Sequence, residues 1–198
     1  MNVTVAKSAG FCFGVNRAVE LVEQAVKEGK QVVTLGPIIH NRHAVQHFEE
    51  MGVKVIDTPE QAPAGSTVII RSHGVTRAVY EALEKQGVQI IDATCPFVKR
   101  IHGIVSNAEA EGRLPVIIGT RAHPEVEGIA GWCNDRKVFE TPQELQEWAE
   151  NLPNRDNLPI CMVCQTTSTE SLWNSCAEIA KKQFTNLKIF DTICKATE

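Results

Sequence analysis

The sequence predicts an α/β protein made of repeated units with parallel sheets. Three observations carry that reading. Short apolar runs of strand length alternate with longer amphipathic stretches, which argues for strands joined by helical crossovers. The strand ends open into loops bearing glycine or proline. A short phrase also recurs: Asp92-Ala93-Thr94-Cys95 returns as Asp191-Thr192-Ile193-Cys194, each behind an apolar pair.

Residues 3–6 read as a strand that runs into Ala9-Gly10-Phe11-Cys12. Over residues 14–29, Val15, Ala18, Val19, Val22, Ala25 and Val26 fall on one helix face. Residues 31–35 form a short buried strand opening into Gly36-Pro37-Ile38-Ile39-His40. A helix at 43–51, a strand at 53–56 and a loop over 58–65, with two prolines and a glycine, follow. The strand at 67–71 leads to Ser72-His73-Gly74, and Thr76 caps a helix reaching residue 86. Residues 88–92 deliver Cys95, and a helix over 96–111 takes Pro96 in its first turn, where a missing amide costs nothing.

The second half repeats this plan. A strand at 114–119 opens into the loop 120–125, and a helix follows over 126–133. After a short strand at 138–140, Thr141-Pro142-Gln143-Glu144 has the form of a capping box. A strand at 159–164 leads to Gln165-Thr166-Thr167, where Thr167 and Glu170 are expected to cap the next helix. The last strand, 187–191, ends at Cys194. Gly36 to His40 and Gly119 to His123 share one spacing at an offset of 83, as do Cys12 and Cys95. His73 and Thr166 fall in matching strand-end loops, offset by 93, and Cys95 and Cys194 are offset by 99. These matches divide the chain into an N-terminal strand and first cysteine (1–13), two α/β units (14–95 and 96–193) and the opening of a third (194–198).

Composition narrows the function. Among the 198 residues the net charge is -4 and no basic block occurs, so nucleic acid is not the expected partner. No apolar run approaches the roughly 20 residues that span a bilayer. The N-terminus lacks a basic and apolar leader, so a cytoplasmic location is expected. A reducing compartment makes the seven cysteines ligands, nucleophiles or core residues rather than disulfides.

Cys12, Cys95 and Cys194 share similar strand-end settings. Three thiolates on a pseudo-threefold axis would suit an iron-sulfur cubane and leave one iron open; the alternative is three core cysteines. The repeated Asp-x-x-Cys phrase favours ligation. Cys161-x-x-Cys164 lies within a predicted strand, where residues three apart point to opposite faces, so it reads as core, and Cys133 and Cys176 as core or surface. His40, His73 and His123 occupy matching loops, where imidazoles and helix N-termini hold phosphate or simply cap locally. His43, His47 and His102 fall on helices and read as solvated or half-buried. Glu125, two residues after His123, is either a proton donor or an exposed helix-start carboxylate. Thr166 offers a hydroxyl.

Seven phrases, taken in order, resemble one family. They are Ala9-Gly10-Phe11-Cys12-Phe13-Gly14-Val15, Leu35-Gly36-Pro37-Ile38-Ile39-His40-Asn41, Arg71-Ser72-His73-Gly74-Val75, Asp92-Ala93-Thr94-Cys95-Pro96, His123-Pro124-Glu125-Val126, Gln165-Thr166-Thr167 and Asp191-Thr192-Ile193-Cys194. Over the whole chain they are similar to the 4-hydroxy-3-methylbut-2-enyl diphosphate reductases of the non-mevalonate isoprenoid pathway.

The resemblance implies a trefoil of three α/β units around a [4Fe-4S] cluster held at Cys12, Cys95 and Cys194. It implies that His40, His73 and His123 line a diphosphate pocket, that Thr166 contacts the substrate hydroxyl and that Glu125 feeds protons. The implied reaction removes an allylic hydroxyl with two electrons and two protons to give isopentenyl and dimethylallyl diphosphates, with ferredoxin or flavodoxin as electron donor. Family members continue past the third cysteine into a third unit. The present chain, if it is the whole polypeptide, is therefore expected to bind diphosphate poorly and to turn over slowly or not at all. The alternatives are an iron-sulfur electron-transfer or redox-sensing module without a substrate, which needs four protein ligands, and a phosphate-binding protein with core cysteines.

Overall fold

The structure, a computed structural model, describes residues 3–4, 9–153 and 155–197. The strand expected at 3–6 lies partly outside these residues, and residues 3–4 carry no regular structure. The first half contains α1 (Phe13–Lys27), β1 (Val32–Leu35), α2 (Arg42–Glu50), β2 (Lys54–Ile56), β3 (Thr67–Ile70), α3 (Arg77–Gln86) and β4 (Gln89–Asp92). The second contains α4 (Pro96–Ala110), β5 (Leu114–Ile118), α5 (Pro124–Ala130), β6 (Lys137–Phe139), α6 (Pro142–Glu150), β7 (Ile160–Cys164), α7 (Glu170–Gln183) and β8 (Leu187–Ile189).

These strands form two four-stranded sheets in which every pairing is parallel. The orders are β2-β1-β3-β4 and β6-β5-β7-β8, the same order displaced by four strands. The repeat inferred from residue spacing is thus a repeat of topology. In this order the chain leaves β1 toward β2, while β3 lies on the other side of β1. Loops after β1 and β3, and likewise after β5 and β7, diverge at a topological switch point, where open parallel sheets hold ligands.

Two compact units divide the chain: Met1–Ser72 with Gly87–Cys95, and His73–Gln86 with Pro96–Glu198. In the first unit, Ala18, Val22 and Ala25 of α1 and Phe48 of α2 pack with Val32 of β1 and Ile69 of β3. In the second, alternate residues of the central strands face opposite layers. Val116, Ile118, Met162 and Cys164 pack with Leu145 of α6 and Trp173 of α7. Ile117 and Val163 pack with Ile101 and Val105 of α4 and with Val126 and Ile129 of α5. β1, β3 and β7 are buried along their whole length, which explains why β7 and β3 after Thr67 read as apolar runs and why β1 carries a single threonine, Thr34.

Most element boundaries lie within a residue or two of the expected ones, and the departures have local causes. A 3-10 turn at Pro59–Gln61 interrupts the expected loop, with Gln61 Oε1 accepting from the amide of Asp57 at 2.7 Å. The helix expected from residue 126 starts at Pro124, because His123 Nδ1 accepts from Glu125 N at 3.1 Å and caps it. Thr169, not Thr167, caps α7. Thr167 instead accepts from Gln165 Nε2 at 2.8 Å. At α6, Thr141 Oγ1 accepts from Glu144 N as expected, but the Glu144 carboxylate turns to Glu140 N and Arg121 and leaves the capping box half formed. A cap contributes about 1 kcal/mol. Each fully buried aliphatic side chain contributes about 1.5–3 kcal/mol, so packing places the helices and capping only trims their ends.

His102 departs further from expectation. It is buried and stacks on Trp132, with centroids 5.2 Å apart and planes 16° from parallel. The Arg77 guanidinium lies 5.4 Å from the Trp132 ring and donates to Ser106 Oγ at 2.7 Å, while Trp132 Nε1 donates to Val75 O at 2.9 Å. Gly131 completes this knot, since a Cβ there would run into Thr76, whose Cα would stand 2.9 Å away. Gly131→Ala should therefore overpack the site and lower stability by about 1–3 kcal/mol. Urea unfolding checks this, and an unchanged midpoint would contradict it.

Candidate functional site

Burial sorts the seven cysteines into two groups. All are thiols outside any disulfide. Cys133, Cys161, Cys164 and Cys176 are buried. Burial pushes the thiols of Cys133, Cys161 and Cys176 up to about 11, and Cys164 rises for the same reason against an opposing Thr192 hydroxyl. Such groups stay protonated at neutral pH and are poor ligands or nucleophiles. The core reading of the Cys161-x-x-Cys164 phrase agrees with this. Cys12, Cys95 and Cys194 are half-exposed. Each directly precedes a helical segment: α1, α4 and a 3-10 turn at Lys195–Thr197.

The Asp-x-x-Cys phrase is one turn built twice. Asp92 Oδ1 accepts from Thr94 N at 2.9 Å, and Cys95 N donates to Ser72 O at 2.9 Å. In the other unit, Asp191 Oδ1 accepts from Ile193 N at 3.2 Å, and Cys194 N donates to Thr166 O at 2.8 Å. The aspartate closes its own turn, and the cysteine amide locks it to the end of the adjacent strand's loop. His73 and Thr166 do lie in matching loops, after β3 and β7, and within those loops the bonds set Ser72 opposite Thr166. Apolar spacing fixes strands, but a loop's register depends on hydrogen bonds that spacing does not reveal.

Two further residues hold the first-unit thiols. Arg17, on α1 behind Cys12, donates to Asp92 O at 3.0 Å and Thr94 O at 3.2 Å, pinning the turn that carries Cys95. A Cβ on Gly14 would lie 2.6 Å from Cys95 Sγ, so only glycine leaves room for that thiol against the first turn of α1. Sequence reasoning missed Arg17, whose spacing on the helix resembles any solvated cation. Cys12 and Cys95 belong to the first unit and Cys194 to the second. Among the described residues no group of three or more His, Cys, Asp or Glu is gathered as metal ligands. Beside Cys194, Phe97, Arg100, Asp191, Ile193 and Lys195 line a cavity of about 320 Å³.

Glu125 is the most constrained acid of the second unit. It is 2% exposed, so it is not a helix-start carboxylate in water. Its Oε1 accepts from Thr166 N at 2.6 Å, and its Oε2 from Thr166 Oγ1 at 2.7 Å. Burial pushes the carboxyl above its ordinary range, and the two bonds from Thr166 oppose that only in part. His123 Nδ1 accepts the Glu125 amide, which places the ring proton on Nε2, a donor suited to an anion. The His73 ring meets His123 edge-on at 5.7 Å. Gly128 permits the approach of the His73 backbone, since a Cβ there would lie 3.3 Å from His73 O. The second unit thus brings together His73, His123, Glu125 and Thr166. His40 lies in the first unit, exposed at the end of the loop after β1, where Asn41 caps α2.

Comparison with known proteins places the chain among relatives. A family model described as LytB protein matches residues 3–198. The chain is 43% identical over 202 residues to the 4-hydroxy-3-methylbut-2-enyl diphosphate reductase of Caldanaerobacter subterraneus, covering 100% of this chain and 68% of that protein. Against the protein of the same name from Clostridioides difficile it is 38% identical and covers 70%. The structure of the Plasmodium falciparum E-1-hydroxy-2-methyl-but-2-enyl-4-diphosphate reductase superposes with a TM-score of 0.89 at 27% identity, over 96% of this chain and 60% of that one. A second solved (E)-4-hydroxy-3-methyl-but-2-enyl diphosphate reductase superposes at 0.83 with 40% identity, over 98% and 68%. The chain therefore spans between three fifths and seven tenths of these relatives' lengths. No helix among the described residues is long and apolar enough to cross a membrane.

The buried carboxyl has a measurable consequence. The folded state holds the Glu125 proton more tightly than the unfolded chain, whose carboxyl titrates near 4.5. Stability should accordingly fall as pH rises from that value through the elevated folded pKa, and then level off. Glu125→Gln should flatten this segment of the curve. Urea unfolding at a series of pH values decides the point, and parallel profiles for the two proteins would contradict it.

Proposed function

The chain belongs to the LytB protein family, and on that premise we propose that it reductively removes the hydroxyl of (E)-4-hydroxy-3-methylbut-2-enyl diphosphate, yielding isopentenyl and dimethylallyl diphosphates. The observation that carries the proposal is the Glu125–Thr166 pair beside His73 and His123, an acid and a hydroxyl next to two imidazoles in a reductase-like frame.

The chemistry of Cys12, Cys95 and Cys194 suits them to hold a [4Fe-4S] cluster. These are the half-exposed thiols, two of them share the repeated turn, and Gly14 clears space for Cys95. Thiolate is the ligand such clusters take, and three protein ligands leave one iron open. When bound, the cluster would supply single electrons and a Lewis-acidic iron. The unit boundaries at 13/14, 95/96 and 193/194 belong to the same reading, with each unit starting behind or at a ligand thiol.

The remaining steps rest on the chain's own side chains. His73 and His123, with His40 from the first unit, hold the diphosphate as hydrogen-bond donors rather than through a large positive charge. Thr166 stands between the acid and the substrate hydroxyl. With Glu125 protonated, its O–H donates to Thr166 Oγ1, and the Thr166 hydroxyl in turn donates to the substrate oxygen. The oxygen leaves as water, one further proton goes to carbon, and the two electrons replace the C–O bonding pair. The raised pKa of Glu125 suits this duty, because it leaves more of the acid protonated and ready to donate than a solvated carboxyl would be. The electron donor is read as ferredoxin or flavodoxin, and the location as cytoplasmic.

Anaerobic reconstitution with iron and sulfide tests the proposal. The chain should acquire an iron-sulfur visible absorption that changes saturably when the allylic diphosphate is added. Serine at position 12, 95 or 194 should weaken or abolish the absorption, whereas serine at 161 or 176 should not. A stable chromophore indifferent to saturating allylic diphosphate would overturn the reductase reading.

A further inference from the structure

At each switch point a glycine ends the first strand, and the residue after the neighbouring strand lays its side chain across it. In the second unit, Gly119 follows β5 and Gln165 follows β7. A Cβ on Gly119 would lie 2.8 Å from Gln165 Cβ and 2.9 Å from its Oε1. In the first unit, Gly36 follows β1 and Arg71 follows β3, and a Cβ on Gly36 would lie 2.5 Å from Arg71 Nη1 and 3.1 Å from its Cδ. Both glycine amides bond the outer strand in the same way, Gly36 N to Ile56 O at 2.8 Å and Gly119 N to Phe139 O at 3.0 Å. One construction occurs twice with side chains of different charge. Reach and packing, not charge, are what the two copies share.

In the second unit the construction leads to His123. Gln165 Oε1 accepts from Thr120 N at 3.2 Å, and Thr120 O accepts from His123 N at 2.9 Å. Beyond His123, Glu125 is held by Thr166. Adjacent residues at the end of β7 thus grip the loop on both sides of the histidine. Gln165 holds the near side at Thr120, and Thr166 the far side at Glu125. Nε2 of Gln165 donates to Thr167 Oγ1 at 2.8 Å, which fixes the amide's orientation. We infer that Gln165 is a positioning residue that sets where His123 presents its ring. Why this loop needs fixing rests on the diphosphate reading above; the brace itself does not.

Hydrogen exchange on the anaerobically reconstituted chain, read by mass spectrometry over residues 119–123, tests the brace, with inorganic pyrophosphate as the binding probe. Gln165→Met keeps the reach across Gly119 but loses both polar contacts. It should raise exchange in the loop and weaken pyrophosphate binding, each by about tenfold, the scale of a lost hydrogen bond in a packed site. Gln165→Glu keeps an acceptor for Thr120 N and should restore the exchange protection. Wild-type protection of the loop in Gln165→Met, or loss spread equally through β7, would overturn the inference. If the loop responds as expected but pyrophosphate binds neither protein, the brace stands and the diphosphate reading falls.

Discussion

The bond from a cysteine amide to the carbonyl beyond a neighbouring strand, made by Cys95 to Ser72 and again by Cys194 to Thr166, is the constraint on which the rest depends. It ties the chemistry of a loop to the geometry of a sheet. The switch point in a 2-1-3-4 strand order opens two loops toward one end of each sheet. The aspartate of each phrase folds its own turn so that the thiol emerges there, and the glycines at 36 and 119 let a long side chain close over the first loop. None of these bonds exceeds an ordinary hydrogen bond in strength, about 1 kcal/mol net. Their effect lies in direction: each selects where one side chain points on a frame that the apolar core has already placed.

Much of this was legible in the residues. Apolar runs located the strands, because β1, β3 and β7 are buried along their whole length and admit little more than a threonine among their aliphatic residues. The recurrence of Asp-x-x-Cys exposed the repeat, since the turn needs an aspartate at its first position and its cysteine three places on. What was not legible is what depends on partners distant in sequence. Arg17 reaches residues 75 and 77 positions away, and nothing in its helical spacing announces that. His102 reads as a surface histidine until Trp132 covers it. The cap of α7 fell on Thr169 rather than Thr167 because Gln165 had a competing use for the Thr167 hydroxyl.

The acid of the site illustrates how burial and hydrogen bonding are balanced. An isolated buried carboxylate is costly, and full neutralisation would be the simplest response. Thr166 instead offers an amide and a hydroxyl, which lower the cost of the charged form without removing it. The result is a carboxyl that keeps its proton to higher pH than a solvated one does. Because both contacts come from one residue at the end of β7, the strand that supports the sheet also tunes the acid.

The proposed reaction requires that Cys12, Cys95 and Cys194 act together on one inorganic centre. Alkylation of the reconstituted chain, mapped cysteine by cysteine, tests it most directly. These three half-exposed thiols should be protected in concert while iron and sulfide are bound, and should become reactive together once a chelator removes them; the four buried thiols should stay slow in both states. Any one of the three reacting at the same rate with and without the iron would contradict the claim.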